Sequence, residues 1–574
     1  MALPKRLFAQ ASIMIRPNIW DVAALVLVLS IVVLLSYGGS KMSLPFHLGQ
    51  SIPISLDPGV LPFYALETTL RMFIALGLSL LFTFTVGTLA AKNERAGKIL
   101  IPIIDILQSV PILGYLSITV VGFIALFPNS MMGPECAAIF VVFTSQVWNM
   151  TLSFYQSLRT VPSELQEATR MYHLNGWQRF WRLDVPFATP GLLWNTMLSM
   201  SGGWFFIVAA EAISVANQNI TLPGIGSYIA LAIVQKDWLA IFYAIITMFL
   251  VILIYDQLMF RPLVAWSQKF RLTDIPDEES ESWVLNLIQR SELMNALGNK
   301  IKALWFAFTQ LNFGKVEARA TLKNSSTERT KDIIWYTLVF IAIGISAYYL
   351  AGFIYQGVPV KQTLYVFMLG SFTALRVFVL IVLCSLVWVP VGIYIGLRPN
   401  LARVIQPIAQ FLAAFPANLF FPLFVICIVK FNLSVDIWTA PLMILGTQWY
   451  ILFNVIAGAM TIPKELKLAA ESMHLRGFLK WRRFLFPAIF PYYITGAITA
   501  SGNAWNTSIV AEVVTWGHTT LVAHGLGAYI TENTIAGNFQ EIALGVVVMC
   551  IWVTTINLLF WRRLYRYAEG RFAL

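Results

Sequence analysis

Apolar residues run along this chain in long blocks separated by short polar joints. Twelve blocks reach roughly 18 residues or more, enough to cross ~30 Å of hydrocarbon as helices rising about 1.5 Å per residue. They fall at 20–37, 63–91, 100–127, 136–158, 188–213 and 239–260, then at 333–353, 365–396, 406–429, 437–459, 488–514 and 541–561. The pattern predicts an all-α polytopic membrane protein with twelve transmembrane helices. The first block follows Lys5, Arg6 and Arg16 and has no small-x-small cleavage site, so it reads as a retained helix rather than a signal peptide.

Charge sharpens this picture. Of 574 residues, 58% are hydrophobic and only 12% charged, whereas soluble domains carry about 25% charged residues. The net charge of +11 would suggest nucleic acid, but its distribution follows membrane topology. With the N-terminus in the cytoplasm, 33 of the 39 Lys and Arg residues fall in cytoplasmic segments and 4 on the opposite side. Arg71 and Arg376 lie inside apolar blocks. Both termini are therefore expected in the cytoplasm, and no nucleic-acid partner is implied. The four cysteines (Cys136, Cys384, Cys427, Cys550) have no paired spacing, which argues against both a disulfide framework and a zinc site.

The chain also repeats itself. At an offset of 301, Pro162, Glu164, Ala168, His173, Gly176, Arg182, Pro186, Trp204 and Glu211 recur as Pro463, Glu465, Ala469, His474, Gly477, Arg483, Pro487, Trp505 and Glu512. Further upstream the offset is 305, and Arg71, Pro102 and Pro111 recur as Arg376, Pro407 and Pro416. The repeat unit has six spans, an even number, so both copies insert the same way up. They form parallel repeats with any solute pathway at their interface. The expected division is a first repeat over 1–260, a cytoplasmic linker over 261–332, and a second repeat over 333–574. In the linker, Met294, Leu297, Ile301, Leu304, Trp305 and Phe308 share one helical face. That favours a helix lying on the membrane surface over a partner-docking element.

The joint between spans four and five is nearly 30 residues long in each copy. In the first it covers about 159–187, in the second about 460–487. Pro162 and Glu164 suit a helix start. Gly176 is expected to cap that helix at its C-terminus, and a second short helix runs to Pro186. A surface built twice suits a partner that is itself a two-fold dimer.

The joint resembles the EAA loop of ABC importer permeases: Glu167-Ala168 open it, and Pro186 closes it at the twentieth position. The surrounding "WQRFWR" is similar to the nitrate, sulfonate, taurine and bicarbonate branch. The resemblance covers roughly 60–260 and 365–560. It implies a fused, type I ABC permease in a bacterial cytoplasmic (inner) membrane, whose loops dock on a separate cytoplasmic ATPase dimer. ATP and Mg would then bind that partner and no cofactor this chain, with an extracytoplasmic solute-binding protein as second partner. The implied coupling residues are Glu164, Glu167, Ala168, His173 and Gly176, with Glu465, Ala469, Ala470, His474 and Gly477. Two departures stand out. The family's Gly at the seventh position is His173 or His474 here, and Leu468 replaces the Glu that opens the second copy, with Glu471 one turn away.

No G-x-x-x-x-G-K-[ST] motif occurs, so this chain has no phosphate cradle, and no hydrolase triad or metal cluster is evident. The chain therefore reads as a transport subunit rather than an enzyme. Polar groups at membrane depth are the pathway candidates: Gln108, Gln146, Trp148, Trp204, Gln448, Trp449, Trp505 and Asn506, with Asn149 and Asn195 as further polar positions. Arg71 and Arg376 could serve an anion pathway or pair with a neighbouring acid. Glu211 and Glu512 would repel an anion and suit a structural or receptor-contact role. The leading reading is ATP-driven import of a small anionic solute. The alternative is an ion-gradient-driven secondary transporter of two six-span halves, with an essential intramembrane acid such as Glu211 or Asp256. A third is a non-transporting scaffold that binds an ATPase.

Overall fold

Two repeated prolines mark breaks in long apolar blocks, while Pro102, Pro190, Pro390 and Pro491 lie inside helices. In the computed structural model, which describes residues 21–22, 25–26, 29, 53–215, 218–270, 282–311, 325–517 and 519–572, the fold is helical throughout apart from two short hairpins. Among those residues eight helices are long and apolar enough to cross a membrane: Pro58–Lys92, Met132–Arg159, Gly176–Glu211, Trp238–Phe270, Trp335–Tyr355, Val360–Gly396, Gly477–Ala511 and Phe539–Ala568. Two bent pairs, Asn400–Ala414 with Ala417–Lys430 (77°) and Val435–Leu445 with Gln448–Met460 (45°), raise the number to ten if each is one span.

Against the twelve expected spans, the described residues thus hold eight to ten. The block at 20–37 lies almost wholly outside the described residues. The blocks at 100–127 and 406–429 are each broken at the same repeated proline. Val110 and Phe415, which precede Pro111 and Pro416, take extended conformations (ψ 126 and 128), because the proline ring excludes the helical region for its predecessor. A single 3₁₀ turn follows in each copy, Ile112–Tyr115 and Ala417–Phe420. The two hairpins were not expected either. Ala212–Val215 pairs antiparallel with Gln218–Thr221, and Val513–Trp516 with Thr519–Val522, in matching register. The helices stop at Glu211 and Ala511, where runs rich in β-branched residues favour strand.

The chain divides into two compact units. One comprises 1–39, 156–194 and 253–323 and holds the first repeated loop with the linker helices Trp283–Arg290 and Glu292–Thr309. The other comprises 40–155, 195–252 and 324–574, and holds most of the spanning helices and the second loop. Within this second unit Met72, Val141, Met150 and Ile207 are fully buried in the first repeat, and Ile395, Leu452, Phe453 and Ile456 form a core in the second. The two repeats meet near their hairpins. Trp238 stacks on Trp516 with ring centroids 4.5 Å apart, and Gly517 N–H donates to the Ile233 carbonyl at 3.1 Å.

Candidate coupling loops and solute cavity

Each repeated loop is a helix, a left-handed turn, and the start of a long spanning helix. In the first copy the helix is Ser163–Met171, entered through Pro162. It ends in a paired hydrogen-bond motif that satisfies its last carbonyls. Leu174 N–H donates to the Thr169 carbonyl at 3.0 Å, and His173 N–H to that of Arg170 at 3.0 Å. The second copy, Lys464–Ser472, closes the same way: Leu475 to Ala470 at 3.1 Å and His474 to Glu471 at 2.9 Å. The motif demands one left-handed residue, and that residue is histidine in both copies, with φ 50 at His173 and at His474.

This corrects the expected role of Gly176, which is not the C-cap. It is the first residue of the next helix, Gly176–Arg179. His173 and His474 therefore occupy the turn position where the related pattern has glycine. Histidine is among the few non-glycine residues enriched there.

The copies diverge after the turn. Asn175 forms a reciprocal cap, accepting from Gln178 N–H at 2.9 Å while donating its own N–H to Gln178 Oε1 at 3.1 Å. Arg476 provides no such cap, and Gly477 adopts φ 54. Of the proposed docking residues, Glu164, Glu167 and His173 are exposed and Ala168 and Gly176 are half-buried. In the second loop Glu465, Ala469, His474 and Gly477 are exposed, whereas Ala470 is buried beneath its helix. Leu468, which stands where the family pattern has Glu, points outward with Glu471 beside it.

The two intramembrane arginines are structural. Arg71, wholly buried, donates to both oxygens of Glu135 at 2.6 and 2.7 Å, to Glu211 at 2.7 Å and to the Pro223 carbonyl at 2.8 Å. Glu211 also accepts Gly226 N–H at 2.8 Å. The second repeat builds the same knot: Arg376 donates to Glu512 at 2.8 Å and to Asp436 at 3.0 Å, and Glu512 accepts Ala528 N–H at 3.1 Å. Thr68 and Thr373 accept the equivalent backbone N–H groups of Ile225 and Leu526. A Cβ on Gly224 or Gly525 would collide with the carboxylates of Glu211 or Glu512, so only glycine lets the chain after each hairpin approach. Such paired and hydrogen-bonded charges are the form in which ions persist at membrane depth. These arginines are thus paired with acids, and neither lines the cavity between the repeats.

The second unit contains a cavity of about 110 Å³ between the repeats, roomy enough for several waters. Gln108, Thr144, Ser145, Trp148 and Asn149 line it from the first repeat; Thr499, Asn503, Trp505, Asn506 and Asn557 line it from the second. Its lining contains no charged side chain. Four of the expected pathway residues are there: Gln108, Trp148, Trp505 and Asn506. The other four are not. Gln146 is buried with its amide 3.0 Å from the Met200 sulfur, and Trp204 is buried in the core. Gln448 accepts the Trp388 indole N–H at 3.0 Å, and Trp449 packs on the same ring at 5.4 Å. Asn503 and Asn557 stand outside the expected set; their counterparts at the 301 offset are Gly202 and Asp256. A plain search for amides inside apolar blocks finds both.

The family described as "Binding-protein-dependent transport system inner membrane component" matches residues 83–260 and 388–573, once in each repeat and over more than half of the chain. Curated relatives agree at low identity. The bicarbonate transport system permease protein CmpB of Synechococcus elongatus is 24% identical over 220 residues, 38% of this chain and 72% of the relative. The nitrate import permease protein NrtB of Synechocystis sp. is 24% identical over 224 residues, 37% of this chain and 78% of the relative. The trimethylamine N-oxide transport system permease protein TmoV of Pelagibacter ubique is 28% identical over 205 residues, 36% of this chain and 26% of the relative.

Proposed function

The chain belongs to the binding-protein-dependent transport system inner membrane components, and on that footing we propose that it is the fused permease of an ATP-driven importer. The observation that carries this reading is the duplicated helix–turn–helix loop, each copy running without a break into a long apolar helix. In the second copy that helix, Gly477–Ala511, has 35 residues, so it extends about 52 Å. A push on the loop is delivered as a rigid displacement to the far end, where Glu512 and Arg376 tie it to its neighbours. The engine is a separate cytoplasmic ATPase dimer that binds ATP and Mg, and both loops and both termini face it. An extracytoplasmic binding protein delivers solute from the other side.

The solute is a small molecule presenting oxygen atoms of negative charge or partial charge. Nitrate, bicarbonate, sulfonates and taurine fit, as does a dipolar N-oxide like the one named for the Pelagibacter relative. The support is chemical. The cavity offers amide, hydroxyl and indole groups, which donate hydrogen bonds without a fixed charge that would hold an anion too tightly to release. The alternative of an ion-gradient drive named Glu211 and Asp256; Glu211 is locked to Arg71, and Asp256 pairs with Arg261 at 3.3 Å.

The test is recovery of partners. A tagged chain purified from solubilised membranes is expected to carry an ABC ATPase, and Glu167→Arg with Glu471→Arg is expected to reduce that recovery severalfold. Absence of any ATPase, together with intact uptake in the double variant, would overturn the reading.

A further inference from the structure

We propose that the linker helix Glu292–Thr309 is a bilayer-surface anchor that holds the first repeated loop, and not the second, against an anionic leaflet. Three observations converge on it, all within the unit containing that loop.

The first is the face that the helix leaves uncovered. Leu297, Ile301 and Leu304 are 46, 56 and 72% exposed. At 100° per residue they share one side, with Trp305 and Phe308 continuing it. Lys300 and Lys302 fall on opposite flanks of this apolar arc, and Asn295 and Asn299 lie across from it. Apolar and aromatic residues bordered by lysines match a helix lying in the headgroup boundary, with the ammonium groups reaching up to lipid phosphates. This pairing of grease with flanking cations selects an anionic membrane over a protein partner as the occupant.

The second observation fixes one end of the helix. Asp21 is buried, and one carboxylate oxygen accepts from the Ser291 hydroxyl and from Leu293 N–H at 2.8 Å. Asp21 stands at the start of the first apolar block, so the helix N-terminus is pinned where the chain is expected to enter the membrane.

The third fixes the other end to the loop. Three carbonyls at the C-terminal end of the linker segment accept hydrogen bonds from side chains of the first loop. Trp177 Nε1 donates to Phe308 at 2.9 Å, Gln178 Nε2 to Gln310 at 3.3 Å, and Asn175 Nδ2 to Leu311 at 3.4 Å. Trp181 meets Trp305 and Phe308 at ring centroid distances of 4.9 and 5.7 Å, and the Arg182 guanidinium lies 5.2 Å from the Phe306 ring. At the equivalent positions the second loop has Phe478, Leu479 and Arg476 for the three donors and Arg482 for Trp181. Among the described residues, the seat for the linker is thus formed by the first copy.

The experiment places a photo-activated benzoylphenylalanine at position 301 or 304, and separately at 295 or 299. The full-length chain is reconstituted in nanodiscs of phosphatidylethanolamine and phosphatidylglycerol, and adducts are identified by mass. Lipid adducts at 301 and 304 are expected to exceed those at 295 and 299 by about tenfold. Lys300→Glu with Lys302→Glu is expected to reduce them severalfold. Equal lipid labelling of both faces, no lipid adduct at 301 and 304, or adducts to protein there would each overturn the proposal.

Discussion

The indole ring of Trp181 meets that of Trp305 edge to face, with centroids 4.9 Å apart and planes at 80°. This contact ties a residue of the first repeated loop to a helix that has no counterpart in either repeat. It makes the two copies unequal, although their turns are alike. An edge-to-face pair of this kind is worth roughly 0.5–1.5 kcal/mol beyond its buried area. Trp181→Arg, which installs the residue found in the second copy, is expected to free the linker helix. Amide hydrogen exchange over 292–309 should accelerate by about tenfold, the rate equivalent of ~1.4 kcal/mol. Unchanged exchange would show that the hydrogen bonds from Trp177, Gln178 and Asn175 hold the helix by themselves.

The turn histidines lend themselves to a second test. His173 and His474 are left-handed because the hydrogen-bond motif leaves no other conformation. His173→Gly is expected to be neutral to slightly stabilising, whereas His173→Val should cost about 1–2 kcal/mol locally, since a β-branched side chain clashes with its own backbone there. Thermal unfolding of the purified chain with exchange protection at Leu174 measures this. Equal effects of the two substitutions would contradict the turn assignment.

The buried knots predict a graded response to charge removal. Arg71→Met leaves Glu135 and Glu211 buried without their cation and should cost about 3–5 kcal/mol. Arg376→Met should cost less, because Asp436 is partly exposed to solvent, with side-chain exposure of 44% against 5% for Glu135. Thermal unfolding or detergent-stable yield ranks the two variants. The reverse order would mean that the second knot carries more of the fold than its burial suggests.

The cavity supports a fourth prediction. Asn149→Leu or Asn503→Leu removes an amide from its wall while preserving approximate volume. Each is expected to lower solute uptake several-fold while leaving ATPase recovery with the tagged chain intact. Loss of ATPase together with uptake would indicate misfolding instead of a pathway role.

Much of this was legible in the sequence because duplication makes a residue count twice. The offsets of 301 and 305 pair Arg71 with Arg376 and Glu211 with Glu512, and they match the loop helices Ser163–Met171 and Lys464–Ser472 residue for residue. The same device misled where function depends on difference. Asn503 and Asn557 line the cavity between the repeats and match Gly202 and Asp256, so no repeated amide marks either. The repeat favoured Gln146, Trp204, Gln448 and Trp449, which pack in cores. Hydropathy also counts blocks without seeing bends: Pro111 and Pro416 sit within apolar stretches, and each holds the preceding residue, Val110 or Phe415, extended. Gly176 looked like a cap because glycine usually is one. The left-handed position belongs instead to a histidine three residues earlier, which composition alone does not single out.

The most direct test of the account is uptake into proteoliposomes holding this chain, its co-purified ATPase and the cognate binding protein, with labelled nitrate, bicarbonate and trimethylamine N-oxide supplied in turn. The account predicts accumulation of at least one of them that requires hydrolysable ATP at the loop side and persists when ionophores collapse proton and sodium gradients. Accumulation without ATP that disappears with the ionophores would contradict it.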